Sequence, residues 1–326
     1  MIINRATSSS ERRVVSVVIP AHNEGGSIAG VIRGVLAQAT PELDIEVIVV
    51  DDASTDATAD EARAAGARVL HVGSDSGPGN PAAARNLGAA ESRGDPIVFL
   101  DADCTARPGW LAAMLRAHDG GATVVGGALD MPPGLSASAR CDYYCGWYLI
   151  HSRRPAGVVP HHPPPNLSVR REPFLSSSRF TEEQPYSYTN EERRWEAELQ
   201  SAGHLIWFEP AAVVYHRNRP GFGNLLRRNY RWAYTAIGAK HETRAARVAW
   251  LYRYPWLAIV ASVPLALAHT VFIVWCWVRA GRFEPVVMAP LILVSRLAYA
   301  AGMSVGGIRW MRIRNRSALR AAPRWK

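Results

Sequence analysis

Three apolar runs of the chain each end in acidic or amide residues. The run 14–20 (VVSVVIP) leads into Ala21-His22-Asn23-Glu24, and 46–50 leads into Asp51-Asp52-Ala53-Ser54-Thr55-Asp56. The run 96–100 leads into Asp101-Ala102-Asp103. On neighbouring strands, Asp51, Asp52, Asp101 and Asp103 would collect at one sheet edge, with Glu24 beside them. Carboxylates crowded in this way repel one another, so the cluster calls for a cation or a polar ligand. The Asp-x-Asp spacing lets one carboxylate bind a hard divalent ion directly while the other acts through water or a ribose hydroxyl. An ion held there can bridge a diphosphate. A lone Asp-x-Asp is more often a pair of turn or capping aspartates. After a buried strand, with acids ending its neighbours, it reads as a binding site.

The elements that must position these acids alternate. Residues 14–20, 46–50, 68–72, 96–100 and 123–129 read as strands without polar alternation, which points to a parallel sheet covered on both faces. Between them lie helical segments. In 27–38 the apolar set is Ile28, Val31, Ile32 and Val35. Ser54 or Thr55 is placed to cap a helix running to about Ala65, which Gly66 ends. Asn80-Pro81 pairs a capping residue with a proline at the first helical position, Gly94 is placed to stop that helix, and Pro108 opens another. In such sheets ligands bind beyond the carboxyl ends of the strands, where the acids stand.

The ordered set VSVVIPAHNE, IVVDDASTDAT, AAARNLGAAESRGDPIVFLDADC and PGWL resembles family-2 glycosyltransferases of the GT-A fold, over about residues 14–216. The resemblance implies inverting transfer of a sugar from a nucleotide-diphosphate donor with a divalent metal, Mn2+ or Mg2+. It places Pro20, Ala21, Asn23, Glu24 and Asp51 or Asp52 around the nucleoside and Arg85 near the donor. Asp101, Ala102 and Asp103 would meet the ribose, sugar and metal. The family's later signature is Glu-Asp, then a spaced Gly, then Pro-x-Ala-x-Val-x-His. Here it reads Glu191-Glu192, Gly203 and Pro210-Ala211-Ala212-Val213-Val214-Tyr215-His216. Glu192 stands where the family has its catalytic Asp. The base is Glu192 or Glu191, and His216 is a further candidate metal ligand beside Asp103 and Asp101. Residues 166–170 (NLSVR) resemble an acceptor-side segment. A positioned carboxylate that removes the acceptor proton typically contributes about 10²–10⁴-fold, and the leaving diphosphate needs a metal and an arginine to stabilise its charge.

Composition bounds the rest. The chain has 326 residues, 48% hydrophobic and 20% charged, which excludes a disordered chain. The net charge is +9, carried almost wholly by arginine, since Lys240 and Lys326 are the only lysines. Four cysteines without a CxxC exclude a zinc-finger pattern and suit a reducing compartment. Cys141 and Cys145 would share a helix face. The polar N-terminus, without an apolar stretch, does not read as a signal peptide.

Residues 256–278 contain no Asp, Glu, Lys or Arg. A helix of that length spans about 35 Å against a hydrocarbon core of about 30 Å. Residues 285–308 form a second candidate span with Arg296 near its centre, costly there unless it meets a partner. The short connection 279–284 makes the pair a hairpin with both outer flanks on one side. Those flanks carry Arg244, Arg247 and Arg253 before the pair and seven basic residues from Arg309 to Lys326 after it. The positive-inside rule makes them, and the catalytic domain, cytoplasmic. Arginines beside membrane segments read as lipid-facing, not as binding nucleic acid. Gly302 and Gly306 form a GxxxG. In 222–254, Leu226, Tyr230, Tyr234 and Ile237 recur at helical spacing among Arg227, Arg228 and Arg231. Trp250, Tyr252, Tyr254 and Trp256 then mark a membrane edge.

The resulting expectation is an α/β, GT-A-type, Rossmann-like, mostly parallel sheet with helices on both faces, plus a C-terminal transmembrane helical hairpin. Its parts are a polar tail (1–12), a catalytic domain (13–220), an amphipathic interfacial segment (221–254), two transmembrane helices (255–308) and a basic cytoplasmic tail (309–326). Cut after Tyr254, the chain is expected to leave a soluble unit. The expected activity is metal-dependent transfer of one sugar from a UDP- or GDP-sugar to a lipid or lipid-linked hydroxyl or phosphate at the cytoplasmic membrane face. Arg228-Asn229-Tyr230-Arg231-Trp232 resembles the QxxRW of processive polysaccharide synthases, which keeps that alternative. A non-catalytic sugar-nucleotide-binding membrane protein is the alternative from another class, and it predicts that Glu191 and Glu192 are dispensable. Gly77-Pro78-Gly79-Asn80-Pro81-Ala82 spells a dinucleotide fingerprint, but it follows the third strand and carries two prolines, which argues against an oxidoreductase.

Overall fold

The computed structural model describes residues 12–73, 79–183, 189–243 and 254–321. Its first half comprises β1 (Arg13–Ala21), α1 (Ile28–Leu36), β2 (Leu43–Asp51), α2 (Thr58–Ala64), β3 (Arg68–His71), α3 (Pro81–Ala90), β4 (Ile97–Leu100), β5 (Cys104–Ala106), α4 (Trp110–Asp119) and β6 (Val124–Asp130). There follow α5 (Ala137–Gly146), β7 (Gly157–Val159), β8 (Asn166–Val169), α6 (Arg171–Leu175), α7 (Arg193–Ser201), β9 (Ile206–His216), α8 (Phe222–Tyr234) and α9 (Ala236–Thr243). The last elements are α10 (Pro255–Val260), α11 (Ser262–Arg279), α12 (Glu284–Val287) and α13 (Ala289–Ala321). The strands form one nine-stranded sheet in the order β3-β2-β1-β4-β8-β6-β9-β5, with β7 paired to β9.

β3, β2, β1 and β4 run parallel, as their buried apolar runs predict. β8 lies antiparallel between β4 and β6, and β9 runs parallel to β6. The second half is therefore mixed. β8 arrives after an excursion through α5 and β7, not by a single helical crossover, and so can run against its neighbours. The polar residue in β2 is satisfied inside: Glu46 accepts from Ser16 Oγ at 2.5 Å and from Arg93 Nε at 3.0 Å.

Local chemistry explains most helix limits and corrects two. α1 buries Ile28, Val31, Ile32 and Val35, and Asn80 caps α3 by accepting from the Ala83 amide at 3.0 Å. Ser54 and Thr55 do not cap α2. That helix starts at Thr58, whose amide donates to Asp56 Oδ1 at 3.0 Å, while Ser54 and Thr55 bind Asn23. Gly94 does not end α3, which stops at Ala90. A Cβ at Gly94 would strike the backbone of Val15 and Ser16, so glycine is needed there for close approach to β1.

The C-terminal elements depart further from expectation. α8 buries Leu225, Asn229 and Ala233, while Leu226, Tyr230 and Tyr234 are half-buried. The cause is α13. Gly302 and Gly306 lie against the backbone carbonyls of Tyr230 and Tyr234, where any Cβ would collide. The two helices meet backbone to backbone. The first apolar segment breaks at Ala261, because Pro264 lacks an amide proton and its ring conflicts with the carbonyl four residues earlier. The second long helix begins at Ala289, not at residue 285, and continues as helix to Ala321 through much of the basic tail. Ser262–Arg279 and Ala289–Ile313 are long and apolar enough to cross a membrane, with mean hydropathies of 1.4 and 1.5. Arg296 is 3% exposed. It donates to Asn229 Oδ1 and lies 4.9 Å from the Tyr299 ring.

Ile273, Trp277 and Ile292 join the same buried cluster as the sheet. The core is thus continuous across residue 254, against the expectation of an independent soluble unit ending there. The expectations on Arg244, Arg247, Arg253, Trp250, Tyr252, Arg324, Lys326, Gly77 and Pro78, and on the first eleven residues, lie outside the described residues.

Candidate active site

At the carboxyl ends of β1 and β2 two loops brace each other. Asn23, at φ 54°, donates its amide to Ser54 Oγ at 2.9 Å and accepts from the Thr55 amide at 2.8 Å. The Glu24 amide donates to Thr58 Oγ1 at 2.8 Å, and Arg219 reaches Glu24 Oε1 at 3.3 Å. Pro20 and Ala21 close β1, where Ala21 lies opposite Asp51. Asp51 is buried and 3.2 Å from His71 Nδ1. Asp52 accepts from the Asn80 amide at 2.6 Å through Oδ2, while among the described residues its buried Oδ1 meets no partner. Burial raises the pKa of the Asp52 carboxyl.

Asp101, Ala102 and Asp103 form the turn between β4 and β5, closed by the Cys104 amide donating to the Asp101 carbonyl at 3.0 Å. Arg85, buried on α3, donates to Asp101 Oδ1 at 2.6 Å and to Glu191 Oε1 at 2.8 Å. One guanidinium therefore joins the Asp-x-Asp to the Glu-Glu pair. Asp103 Oδ1 lies 3.6 Å from His216 Nε2, and β5 pairs with β9 so that Cys104 stands opposite His216. Asp103, Cys104 and His216 are close enough to share an ion. Without an ion, burial pushes the Cys104 thiol well up, so the carboxylate oxygen and the imidazole are the donors ready to bind.

Behind His216 runs a polar chain. Asn218 Nδ2 donates to Asp142 Oδ2 at 2.7 Å, so its Oδ1 accepts from His216 Nδ1 at 3.1 Å. That fixes the proton on Nδ1 and turns the Nε2 lone pair towards Asp103. Asp142 also binds Arg228 and, at 3.3 Å, Asn229, whose Oδ1 takes the bond from Arg296. Arg228 stacks 4.2 Å from the Trp232 ring centroid, and Trp147 packs on both Trp232 and His216.

Glu191 and Glu192 lead into α7, which Trp195 anchors against Phe174 and Phe180. Glu192 Oε1 lies 3.4 Å from His161 Nε2 and 3.6 Å from Arg193 Nε. His161 Nδ1 is 2.6 Å from Glu196 Oε2. Burial raises the pKa of all three glutamates, that of Glu196 to about 8, with Glu192 adding repulsion at Glu191. Burial, then Arg193, lowers His161 to about 3.

Residues 16–175 match the family described as glycosyl transferase family 2. Glycosyltransferase AglE of Haloferax volcanii is 30% identical over 225 residues, covering 67% of this chain and 71% of that protein. The chain belongs to glycosyltransferase family 2. The pre-mycofactocin glycosyltransferase of Mycobacterium tuberculosis is 29% identical over 257 residues, 74% of this chain and 51% of that protein. This family-2 enzyme thus spans about half the length of that relative. In fold it is similar, at a TM-score of 0.50 and 22% identity, to glucosyl-3-phosphoglycerate synthase of Mycobacterium tuberculosis solved with Mn2+, uridine diphosphate and phosphoglyceric acid. That match covers 71% of this chain and 78% of the synthase chain. The fold is of the GT-A type.

The residues singled out in the family-2 sequence fall into three neighbourhoods. Pro20, Ala21, Asn23, Glu24, Asp51 and Asp52 line the paired loops after β1 and β2. Asp103 and His216 come together, whereas Asp101 is held by Arg85 and not by His216. Residues 166–169, expected on the acceptor side, form the buried strand β8. Asn166 there accepts from Trp110 Nε1 at 2.8 Å and donates to the carbonyls of Ala128 and Ala212. His161, Glu196, Asn218 and Asp142 were missed. The i, i+4 spacing of Glu192 and Glu196 on one helix was a usable signal; His161 and Asp142 had none, because only the fold brings them near.

Proposed function

We propose that this family-2 enzyme moves one sugar, with inversion, from a UDP- or GDP-sugar to a lipid or lipid-linked hydroxyl or phosphate at a membrane surface. The observation that supports it most is Arg85, which joins Asp101 on the donor side to Glu191 beside the candidate base. The paired loops carrying Pro20, Ala21, Asn23, Glu24, Asp51 and Asp52 take the nucleoside, with the unpartnered Asp52 Oδ1 available to a base or ribose donor. Asp101 and Ala102 meet the ribose and sugar. Asp103 and His216 fit a divalent ion, Mn2+ or Mg2+, because an oxygen and an oriented imidazole nitrogen suit such ions and leave positions for a diphosphate. An ion there would neutralise charge on the departing diphosphate. The synthase of similar fold was solved with Mn2+ and uridine diphosphate, which agrees with this reading.

Glu192 acts as base. Glu191 is committed to Arg85, whereas Glu192 has only longer contacts to His161 and Arg193. Burial raises its pKa, which makes its carboxylate a stronger base. Glu192 takes the acceptor proton, the acceptor oxygen bonds to the anomeric carbon, and the bond to the diphosphate oxygen breaks. With a phosphate acceptor no proton need be removed. Arg228 and Trp232, the remnant of a processive signature, are engaged by Asp142 and Trp147, and single transfer is the reading kept.

The proposed division is a catalytic unit over 13–220, an interfacial segment over 221–254, the apolar pair over 255–308 and a basic tail over 309–326. The arginine-rich flanks of the apolar pair support a reading with the catalytic unit on the cytoplasmic face of the cell membrane. The test supplies the full chain in membranes with labelled UDP- and GDP-sugars, Mn2+ and polyprenyl phosphate. The expected result is label in the organic phase with the wild type and none with Asp103→Ala. Label appearing only in water-soluble product contradicts the lipid acceptor.

A further inference from the structure

We infer that the apolar pair α11 and α13 seats this enzyme in one leaflet of the membrane without crossing it. The inference rests on the membrane reading above. It begins with the connection between the two helices. In a spanning hairpin that connection lies across the bilayer, about 30 Å of hydrocarbon from a domain on the near face. Here it is docked on the catalytic domain. Tyr144 Oη donates to Glu284 Oε2 at 2.6 Å, and Arg140 Nε pairs with Glu284 Oε1 at 2.7 Å. Arg153 donates to the Ala280 carbonyl at 3.1 Å, and Trp277 Nε1 donates to the Tyr144 carbonyl at 3.0 Å. Arg282 lines the same cavity as Arg107, Asp130 and Tyr215, at the ends of β5, β6 and β9.

The far ends of the pair are docked as well. Ala258 of α10 and Met303 of α13 pack with Ala233 and Ile237 of α8 and α9. Tyr148, just after α5, touches His269 and Phe272 in the middle of α11. Both helices therefore lie along the catalytic domain and the interfacial segment packed on it. Carrying them through hydrocarbon would take α5 and α8 with them, including the exposed Arg227, at several kcal/mol for a charge near the bilayer centre.

Each helix buries one face and keeps large apolar residues exposed. On α10 and α11 these are Trp256, Val260, Val263, Leu267, Val271 and Trp275, while Ala266, Thr270, Ile273 and Trp277 are buried. On α13 they include Val294, Leu297, Val305 and Ile308. Those of α11 end where Arg279 stacks 4.9 Å from the Trp275 ring, and those of α13 run into the exposed Arg309 and Arg312. Exposed apolar residues bordered by tryptophan and arginine fit helices held by one docked face at the interface of an anionic leaflet.

The test uses the full chain in sealed inside-out and right-side-out vesicles from expressing cells. Arg282→Cys, in the connection, and Asp60→Cys, exposed on α2, are each treated with a membrane-impermeant maleimide, with wild type as the background. The expected result is that both are labelled in inside-out vesicles and both lose labelling in right-side-out ones. Labelling of Arg282→Cys only from the face opposite Asp60→Cys overturns the inference and leaves the membrane reading intact. Recovery of the protein off the membrane overturns the membrane reading itself. If the connection thiol reacts from neither face, a short bis-maleimide on the Arg140→Cys/Glu284→Cys pair in the same vesicles decides. An intramolecular crosslink supports the docked connection, and its loss overturns it.

Discussion

The two acidic regions of the site are built differently. Asp101 and Asp103 keep 24% and 26% of their side-chain surface, whereas Glu191, Glu192 and Glu196 keep 6%, 4% and 3%. The first pair sits on a turn at a sheet edge, next to a fixed arginine and an oriented imidazole. The second set is buried at the start of α7, where Glu192 and Glu196 flank His161 and Glu191 meets Arg85. A group that grips a cation and a diphosphate must meet solvent-borne ligands. A group that takes a proton works when burial brings its pKa towards the working pH. One fold achieves both by placing one set on a loop and the other at a buried helix start.

Breaking the buried side should cost most. Glu192→Gln is expected to lower transfer by about 10²–10⁴-fold while donor affinity stays close to wild type, read by initial rates and nucleotide titration. A near-normal rate would move the base to Glu191. Arg85→Ala next removes the cation shared by the two regions and leaves Glu191 buried without its partner. The loss is expected to be about 3–5 kcal/mol in unfolding free energy, measured by denaturant titration in detergent. On the donor side, Asn218→Ala frees the His216 imidazole. Mn2+ affinity is then expected to fall about 10–100-fold with little change in stability, read by metal titration.

The smallest effect is a pH dependence that separates the regions. Glu196 has its pKa raised to about 8 in the fold, so the folded state holds a proton that the unfolded chain releases, and stability is lost as pH rises towards 8. His161, lowered to about 3, works the other way and gains stability as pH rises to its unfolded value near 6.5. The two oppose each other below about pH 6.5; above it only the glutamate contribution remains. The melting temperature is therefore expected to fall between about pH 6.5 and 8, and Glu196→Gln should flatten that fall.

How much of this was legible depended on locality. β1, β2, α1 and the Asn80 cap were readable because period and capping act over a few residues. The Asp-x-Asp was readable because its meaning depends on the strand just before it. β8 running antiparallel was not readable, since a four-residue buried strand carries no sign of direction. The apolar spacing of α8 was readable, but not that α13, far off in sequence, brings glycines against its backbone. His161 lay in a Pro- and His-rich connection whose contacts only the fold supplies. The same holds for Asp142, an ordinary acid on a helix until Asn218, Arg228 and Asn229 converge on it.

The most direct test of the account is calorimetric titration of UDP and GDP, with and without Mn2+, into the full-length enzyme and Asp103→Ala. The account predicts that one nucleotide binds wild type in a Mn2+-dependent manner and that this dependence is lost in Asp103→Ala. Mn2+-dependent binding that survives Asp103→Ala unchanged, or no binding of either nucleotide to wild type, would contradict it.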